Sequence, residues 1–334
     1  MQVKQIVLAS RPKGMPTNDQ FREETITLPD LQEDEVLVKA LYFSVDPYMR
    51  GRMNDSKSYA PPYAIDEPIK GGGISKVQET KSGKFQKGDI VAGLFPWATE
   101  SINKAAGVQK IDARLAPAPY YLGILGMPGL TAYFGLLHIG QPKAGETVVI
   151  SGAAGAVGIV VGQIAKLKGC RVVGIAGTDE KIKMLKEEFH FDEVINYKTT
   201  SDMRKAIKDA CENGVDIYFD NVGGPISDAV IANINFQARI VLCGQISLYN
   251  STEVPTGPRL QPLLLTRSAL MQGFIVGDFK EHFPEGTEQL SKWVKEGKLK
   301  YKETIIEGFD QLPEAFLGLF SGKNKGKMIV KIVQ

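Results

Sequence analysis

Thr147-Val-Val-Ile-Ser-Gly-Ala-Ala-Gly-Ala-Val-Gly158 is the stretch whose reading decides the fold. Its first four residues are β-branched, which suits a short strand. Glycines follow at 152, 155 and 158, and the uncharged run continues to Ala165. The spacing predicts strand, tight turn, helix. Glycines there let the main chain approach a pyrophosphate, and the N–H groups and dipole of a helix N-terminus favour its negative charge. A glycine-rich turn can also serve strand–helix packing alone, so the surrounding pattern has to decide.

Downstream, strand candidates Arg171–Ala176, Val194–Tyr197, Val215–Phe219 and Arg239–Cys243 alternate with helical stretches near Val157–Lys168, Asp179–Glu188, Asp202–Cys211 and Pro225–Ile234. Apolar strands alternating with helices predict a parallel sheet covered on both faces. The fold class is therefore α/β, with a doubly wound parallel-sheet (Rossmann) domain opened by the glycine turn. Upstream the text is β-rich: Val36–Tyr42, Gly71–Val77 and Gly88–Gly93 read as strands between glycine and proline, a compact β-barrel-like unit. After Leu290-Ser-Lys-Trp-Val-Lys-Glu, a strand Tyr301–Ile306, a helix Gln311–Leu319 and a strand Met328–Val333 have no strand–helix repeat to join. The expected division is 1–125 with 297–334 as the β-rich domain and 126–296 as the nucleotide domain.

The chain has 334 residues, 43% hydrophobic and 23% charged, which is ordinary for a globular protein of two domains. Forty Lys and Arg against 38 Asp and Glu leave +2, no footprint for nucleic acid or an anionic membrane. Three widely spaced cysteines do not form a disulfide framework and point to a reducing, cytoplasmic compartment. The uncharged stretch 115–142 is broken by Pro117, Pro119, Pro128 and five glycines, so no membrane helix is expected there. Met1-Gln-Val-Lys-Gln-Ile-Val-Leu8 reads as a strand and not as a signal peptide.

The choice of dinucleotide rests on the end of the second strand. An NAD site wants an acid there for the ribose hydroxyls. Here the strand ends in Gly177-Thr178, with Asp179 and Lys181 beyond. A small residue with a nearby lysine suits a 2′-phosphate, so NADP(H) is the expected cofactor, with Asp179 serving the helix N-terminus. Residues 1–137 contain neither His nor Cys, so no Cys/His zinc site can be built in the first domain, and no metal ligand is assigned. Gly-x-Ser-x-Gly, His-Glu-x-x-His, the phosphate-loop Gly-Lys-Ser/Thr and Tyr-x-x-x-Lys are all missing from the sequence.

Several further motifs carry a resemblance: Val45-Asp-Pro-Tyr-Met-Arg-Gly-Arg-Met53, Met127-Pro-Gly-Leu-Thr-Ala-Tyr133, Asn196-Tyr-Lys198, Asp220-Asn-Val-Gly-Gly224, Cys243-Gly-Gln-Ile-Ser-Leu-Tyr-Asn250 and Ile305-Ile-Glu-Gly-Phe309. With the glycine turn, they make the chain resemble, nearly end to end, the zinc-independent medium-chain dehydrogenases/reductases, specifically the prostaglandin reductase and plant alkenal double-bond reductase group. The resemblance implies a GroES-like first domain, homodimers, and NADPH-dependent reduction of the C=C bond of α,β-unsaturated aldehydes and ketones. A quinone reductase of the same superfamily and an NADPH-binding sensor without turnover are the readings left beside it.

That chemistry needs a donor for the negative charge that grows on the carbonyl oxygen as hydride reaches the β-carbon. Neutral tyrosine hydroxyls can serve. Tyr249 follows the strand ending at Cys243, hence lies at the carboxyl edge of the sheet, and Tyr48 comes from the first domain. By resemblance Gly155, Ala156, Val157 and Gly158 hold the pyrophosphate, while Thr178, Lys181 and Tyr197 face the adenosine end. Asn221 bonds a ribose or phosphate, Cys243, Gly244 and Ser247 are further cofactor contacts, and Tyr249 meets the nicotinamide ribose and the substrate oxygen. Phe274, Ile275 and Val276 line the nicotinamide pocket, and Asn324 returns from the tail. Asp46 and Arg50 are expected to pair and shape their loop. Gln245 stands where related sequences often have a small residue, which bears on pocket volume.

Overall fold

The computed structural model describes residues 1–114 and 116–333; Leu115, which opens the uncharged stretch, and Gln334 lie outside the described residues. In chain order the elements begin with β1 (Gln2–Leu8), β2 (Phe21–Thr27), β3 (Glu35–Ser44), α1 (Met49–Arg52), β4 (Lys70–Thr80), β5 (Ile90–Pro96), β6 (Glu100–Lys104) and β7 (Val108–Lys110). There follow α2 (Met127–Phe134), β8 (Thr147–Ile150), α3 (Ala156–Leu167), β9 (Arg171–Ala176), α4 (Asp179–Glu187), β10 (Glu193–Asn196), α5 (Met203–Ala210) and β11 (Val215–Asp220). The rest are α6 (Gly224–Ile231), β12 (Ile234–Leu242), α7 (Gln261–Arg267), β13 (Leu270–Gly273), α8 (Phe283–Lys295), β14 (Glu303–Glu307), α9 (Leu312–Phe320) and β15 (Lys327–Lys331). No described helix is long and apolar enough to cross a membrane. Contacts divide the chain into Met1–Gly123 with Glu303–Gln334, and Ile124–Lys302. Residues 297–302 go with the second unit because Leu299 is buried and Gln163 bonds both the N–H and the carbonyl of Lys300, at 2.8 and 2.9 Å.

The first unit is built on a sheet in the order β14-β15-β3-β4-β5-β7, with β6 on β3; apart from the parallel pair β14–β15, its pairings are antiparallel. β3 alternates buried and half-buried positions over most of its length, the period-2 pattern of a strand with one face in the core. That core holds Trp97, Phe43, Phe95, Met49, Met53 and, from the tail, Phe316 and Val330. A buried ion pair also ties the tail in. Lys327 Nζ donates to Asp46 Oδ1 and to the Val45 carbonyl, both at 2.9 Å, while Ser44 Oγ donates to Asp46 Oδ2. Removing either charge would strand the other away from water, so this pair fixes the Val45–Tyr48 loop. Arg50, the expected partner of Asp46, reaches the Gly14 carbonyl and Asn54 Oδ1.

Across the β14–β15 register from Lys327 stands Glu303, whose Oε1 is buried with no hydrogen-bond partner among the described residues. Burial lifts its carboxyl from the ordinary 4.5 to about 7, against the opposing pull of Lys327. The folded chain thus keeps a proton that the unfolded chain releases, and the sign follows from linkage. The group's contribution to stability is complete below pH 4.5 and is lost as pH climbs to about 7. For a partly exposed side chain this amounts to roughly 2 kcal/mol after screening. Urea denaturation at pH 5 and pH 8 should show Glu303→Gln losing less stability than the wild type over that window. Equal losses would remove the assignment.

In the second unit six strands run parallel in the order β10-β9-β8-β11-β12-β13. β8 is wholly buried and β9 and β11 nearly so, as a sheet covered on both faces requires. Numbered from β8, this is the order 3-2-1-4-5-6, which reverses between β8 and β11. Two expectations change. The helix read as Pro225–Ile234 ends at Ile231, because Ile234 already pairs with Val215 in the sheet. The sixth strand β13 and the helices α7 and α8 extend a pattern the sequence showed only as far as Cys243.

Candidate active site

All strands of the parallel sheet end on one edge, so Ser151, Gly177, Asn221 and Cys243 follow β8, β9, β11 and β12 on the same side. At the reversal point Gly152 has a positive φ of 59°, which favours glycine. A Cβ on Gly158 would lie 2.5 Å from the Gly152 carbonyl oxygen and 2.7 Å from Ala153 Cα, so only glycine lets α3 seat against the turn. Gly155 caps α3 without a side-chain hydrogen bond, and the first turn carries no acid. The opening N–H groups of Ala156, Val157 and Gly158 are therefore left for an anion. This cradle fits a dinucleotide pyrophosphate.

The α4 terminus is built in the opposite way. Thr178 Oγ1 accepts the Lys181 N–H at 3.3 Å, Asp179 and Glu180 occupy the first turn, and Asp179 Oδ1 accepts the Asn196 amide at 2.9 Å. Asp179 thus serves its helix N-terminus. The exposed Tyr197 ring lies over Gly177, where a Cβ would come within 2.7 Å of it. Thr178, Lys181 and Tyr197 are thereby gathered at the carboxyl end of β9.

Asp220 and Ser151 organise the centre of the edge. Asp220 is fully buried, and its Oδ1 accepts Ser151 Oγ at 2.9 Å, the Tyr218 hydroxyl at 2.8 Å, and the N–H groups of Val222 and Gly223 at 3.0 and 2.9 Å. Gln245 Nε2 donates to its Oδ2 at 3.3 Å. Asn221 is bound by Ser151 at both ends: its N–H goes to Ser151 Oγ and its Nδ2 to the Ser151 carbonyl, at 2.9 and 2.8 Å. One N–H of the amide read as a ribose or phosphate donor is thus engaged inside the protein, and that bond leaves its second N–H unused. Asp220 and Ser151 were not singled out from sequence. Their signal is an acid at the end of an otherwise buried parallel strand, where a charge persists only when hydrogen-bonded.

The turn 243–249 follows β12. Cys243, half-buried, has its thiol pushed up to about 12 by burial and by Asp220, which keeps it protonated at neutral pH. Ser247 Oγ donates to the Val222 carbonyl at 2.6 Å. The Tyr249 hydroxyl sits over Gly244 and accepts the Gln245 N–H at 3.2 Å. Burial holds its pKa above 10, the Gln245 N–H pulling the other way, so the hydroxyl stays protonated at neutral pH. The Gln245 side chain folds back on Asp220 and Gly223, where a Cβ would meet its Oε1 at 2.3 Å.

Phe274 is buried in an aromatic cluster, edge-on to Phe219 at 6.5 Å and to Phe279 at 6.1 Å, whereas Ile275 is exposed and Val276 half-buried. Tyr48 and Asn324 belong to the first unit. Burial, with Asp46 adding to it, pushes the Tyr48 hydroxyl far above its usual range. The Asn324 amide donates to the Gly326 carbonyl at 2.8 Å. Among the described residues, no group of three or more His, Cys, Asp or Glu could hold a metal ion.

Residues 4–111 match the family profile described as the N-terminal domain of oxidoreductase, and residues 156–293 that described as zinc-binding dehydrogenase. A protein of Bacillus subtilis named as an NADP-dependent oxidoreductase is 59% identical over 331 residues, 98% of this chain and 97% of its own length. The chain is a medium-chain dehydrogenase/reductase. Within that family it is also 43% identical to a tobacco NADP-dependent 2-alkenal reductase, over 98% of this chain and 97% of that one. Among solved structures, CurA of Vibrio vulnificus in complex with NADPH superimposes with a TM-score of 0.94 at 44% identity, covering 99% of each chain. The profile named for zinc binding matches a region with three of the chain's cysteines and two of its histidines, none of them clustered.

Proposed function

We propose that this medium-chain dehydrogenase/reductase uses NADPH to reduce the C=C bond of α,β-unsaturated aldehydes and ketones without a metal ion. The observation that carries the reading is the Tyr249 hydroxyl. Its oxygen takes the Gln245 N–H, so its proton is not used in that bond, and it stands in a turn bonded to the strand end beside the glycine cradle. The name of the tobacco relative supports the substrate class and the cofactor, and the NADPH complex of the Vibrio relative supports the cofactor. Gly155–Gly158 would hold the pyrophosphate, and Thr178, Lys181 and Tyr197 the phosphorylated adenosine end. Hydride is the chemistry that bound NADPH supplies.

Addition at the β-carbon moves the π electrons to the carbonyl oxygen, and Tyr249 donates its O–H to that growing charge. A proton delivered to the α-carbon completes the reduction; Tyr249 is the donor we assign in this unit, with Tyr48 of the first unit as the alternative source. Steady-state assays with crotonaldehyde, methyl vinyl ketone and menadione test the reading. The enal and enone should turn over with NADPH in clear preference to NADH. Turnover of menadione alone would make the protein a quinone reductase, and NADPH binding without any oxidation would make it a binding protein.

We propose further that it works as a cytoplasmic homodimer on small molecules, with no nucleic-acid or membrane partner. Free cysteines 170, 211 and 243 support a reducing compartment. The sheet ends on β13, a largely exposed edge strand followed by exposed Ile275, beside α7 with exposed Leu265. Such an edge invites pairing with a second copy. A monomer mass in analytical ultracentrifugation at micromolar concentration would argue against the dimer.

A further inference from the structure

We propose that Gln245 is a positioning residue for Tyr249, clamping the hydroxyl that serves the substrate oxygen to the buried Asp220 anchor. This rests on the role given to Tyr249 above. The turn is laced to residues 220–222 by main-chain bonds: Cys243 and Gly244 N–H to the Asp220 carbonyl, Ile246 N–H to Asn221, and Ser247 N–H to Val222. Gln245 bonds in two further directions. Its Nε2 holds Asp220 Oδ2, and its main-chain N–H holds the Tyr249 oxygen. Asp220 cannot follow a moving partner, because four other donors fix its Oδ1. Gly223 completes the arrangement, since any side chain there would displace the Gln245 amide. Gln245 thus faces the anchor, and it acts on Tyr249 by setting the tilt of its own peptide.

Two variants and one double variant test this with crotonaldehyde and NADPH. Gln245→Ala should lower kcat about tenfold, with the NADPH dissociation constant and the circular dichroism spectrum unchanged. Gln245→Glu should be slower still at pH 8, because two carboxylates would face each other. It should recover as pH falls toward 5.5, when the introduced group, its pKa raised by Asp220, gains a proton and can donate again. A residue that merely fills space would give no such acid rescue. In a Tyr249→Phe background, Gln245→Ala should change kcat less than about twofold, since coupled residues are not additive. Wild-type kcat in Gln245→Ala beside a slow Tyr249→Phe overturns the positioning role alone. A fully active Tyr249→Phe overturns the assignment of Tyr249 and this inference with it.

Discussion

Tyr249→Phe is expected to cut kcat for an enal by about two to three orders of magnitude, the usual loss when one preorganised donor to a developing oxyanion is removed. NADPH affinity should stay within about threefold of wild type, because the cradle at Gly152–Gly158 does not use the hydroxyl. The ring stays in place. It is half-buried, and the deletion leaves only the Gln245 N–H without its acceptor. Because burial keeps the hydroxyl protonated, wild-type kcat should not fall on the alkaline side of neutrality through loss of this proton. Stopped-flow or steady-state rates together with a fluorescence titration of NADPH give both numbers. Unchanged turnover would leave the carbonyl oxygen without its assigned donor.

Asp220→Ala is expected to be the most destabilising of the substitutions considered. It removes the acceptor for Ser151, Tyr218, Val222, Gly223 and Gln245 at once. Ser151 and Tyr218 are fully buried, so water cannot readily replace the carboxylate. With an unsatisfied buried group costing roughly 1–3 kcal/mol, and such losses only partly additive, the total should exceed about 4 kcal/mol. Asp220→Asn keeps the shape and one acceptor oxygen. It should lose about half as much, since Gln245 can turn its own amide to accept the new donor. Urea denaturation monitored by far-ultraviolet circular dichroism distinguishes the two. Equal midpoints for the wild type and both variants would show that the network does not hold the edge together.

The nucleotide unit was legible wherever local chemistry was strong. Thr147–Ile150 and Arg171–Ala176 are strands to the residue, because β-branched runs bounded by glycine admit little else. The helix expected near Val157–Lys168 lies at Ala156–Leu167. Legibility ended where apolar patterning did. α7 buries no residue and β13 is four mostly exposed residues, so neither left a stripe or an alternation to read. The glycines of the turn were recognised as a set, but their separate duties, a positive φ at 152 and close seating at 158, needed coordinates.

The sequence by itself determined the doubly wound sheet and its glycine turn, and it pointed to the uncharged tyrosine donor we propose. Those depend on periodicity, on glycine placed within twelve residues of a strand, and on which residue types are missing. Only the tertiary structure decided which atoms face one another. Ser151 and Asp220 are 69 positions apart, Asp220 and Gln245 25 apart, and Asp46 and Lys327 281 apart. No local propensity encodes such partners. They are chosen when neighbouring strands bring their ends to one edge, or the tail strand returns to its sheet, and each buried charge must find a hydrogen bond there.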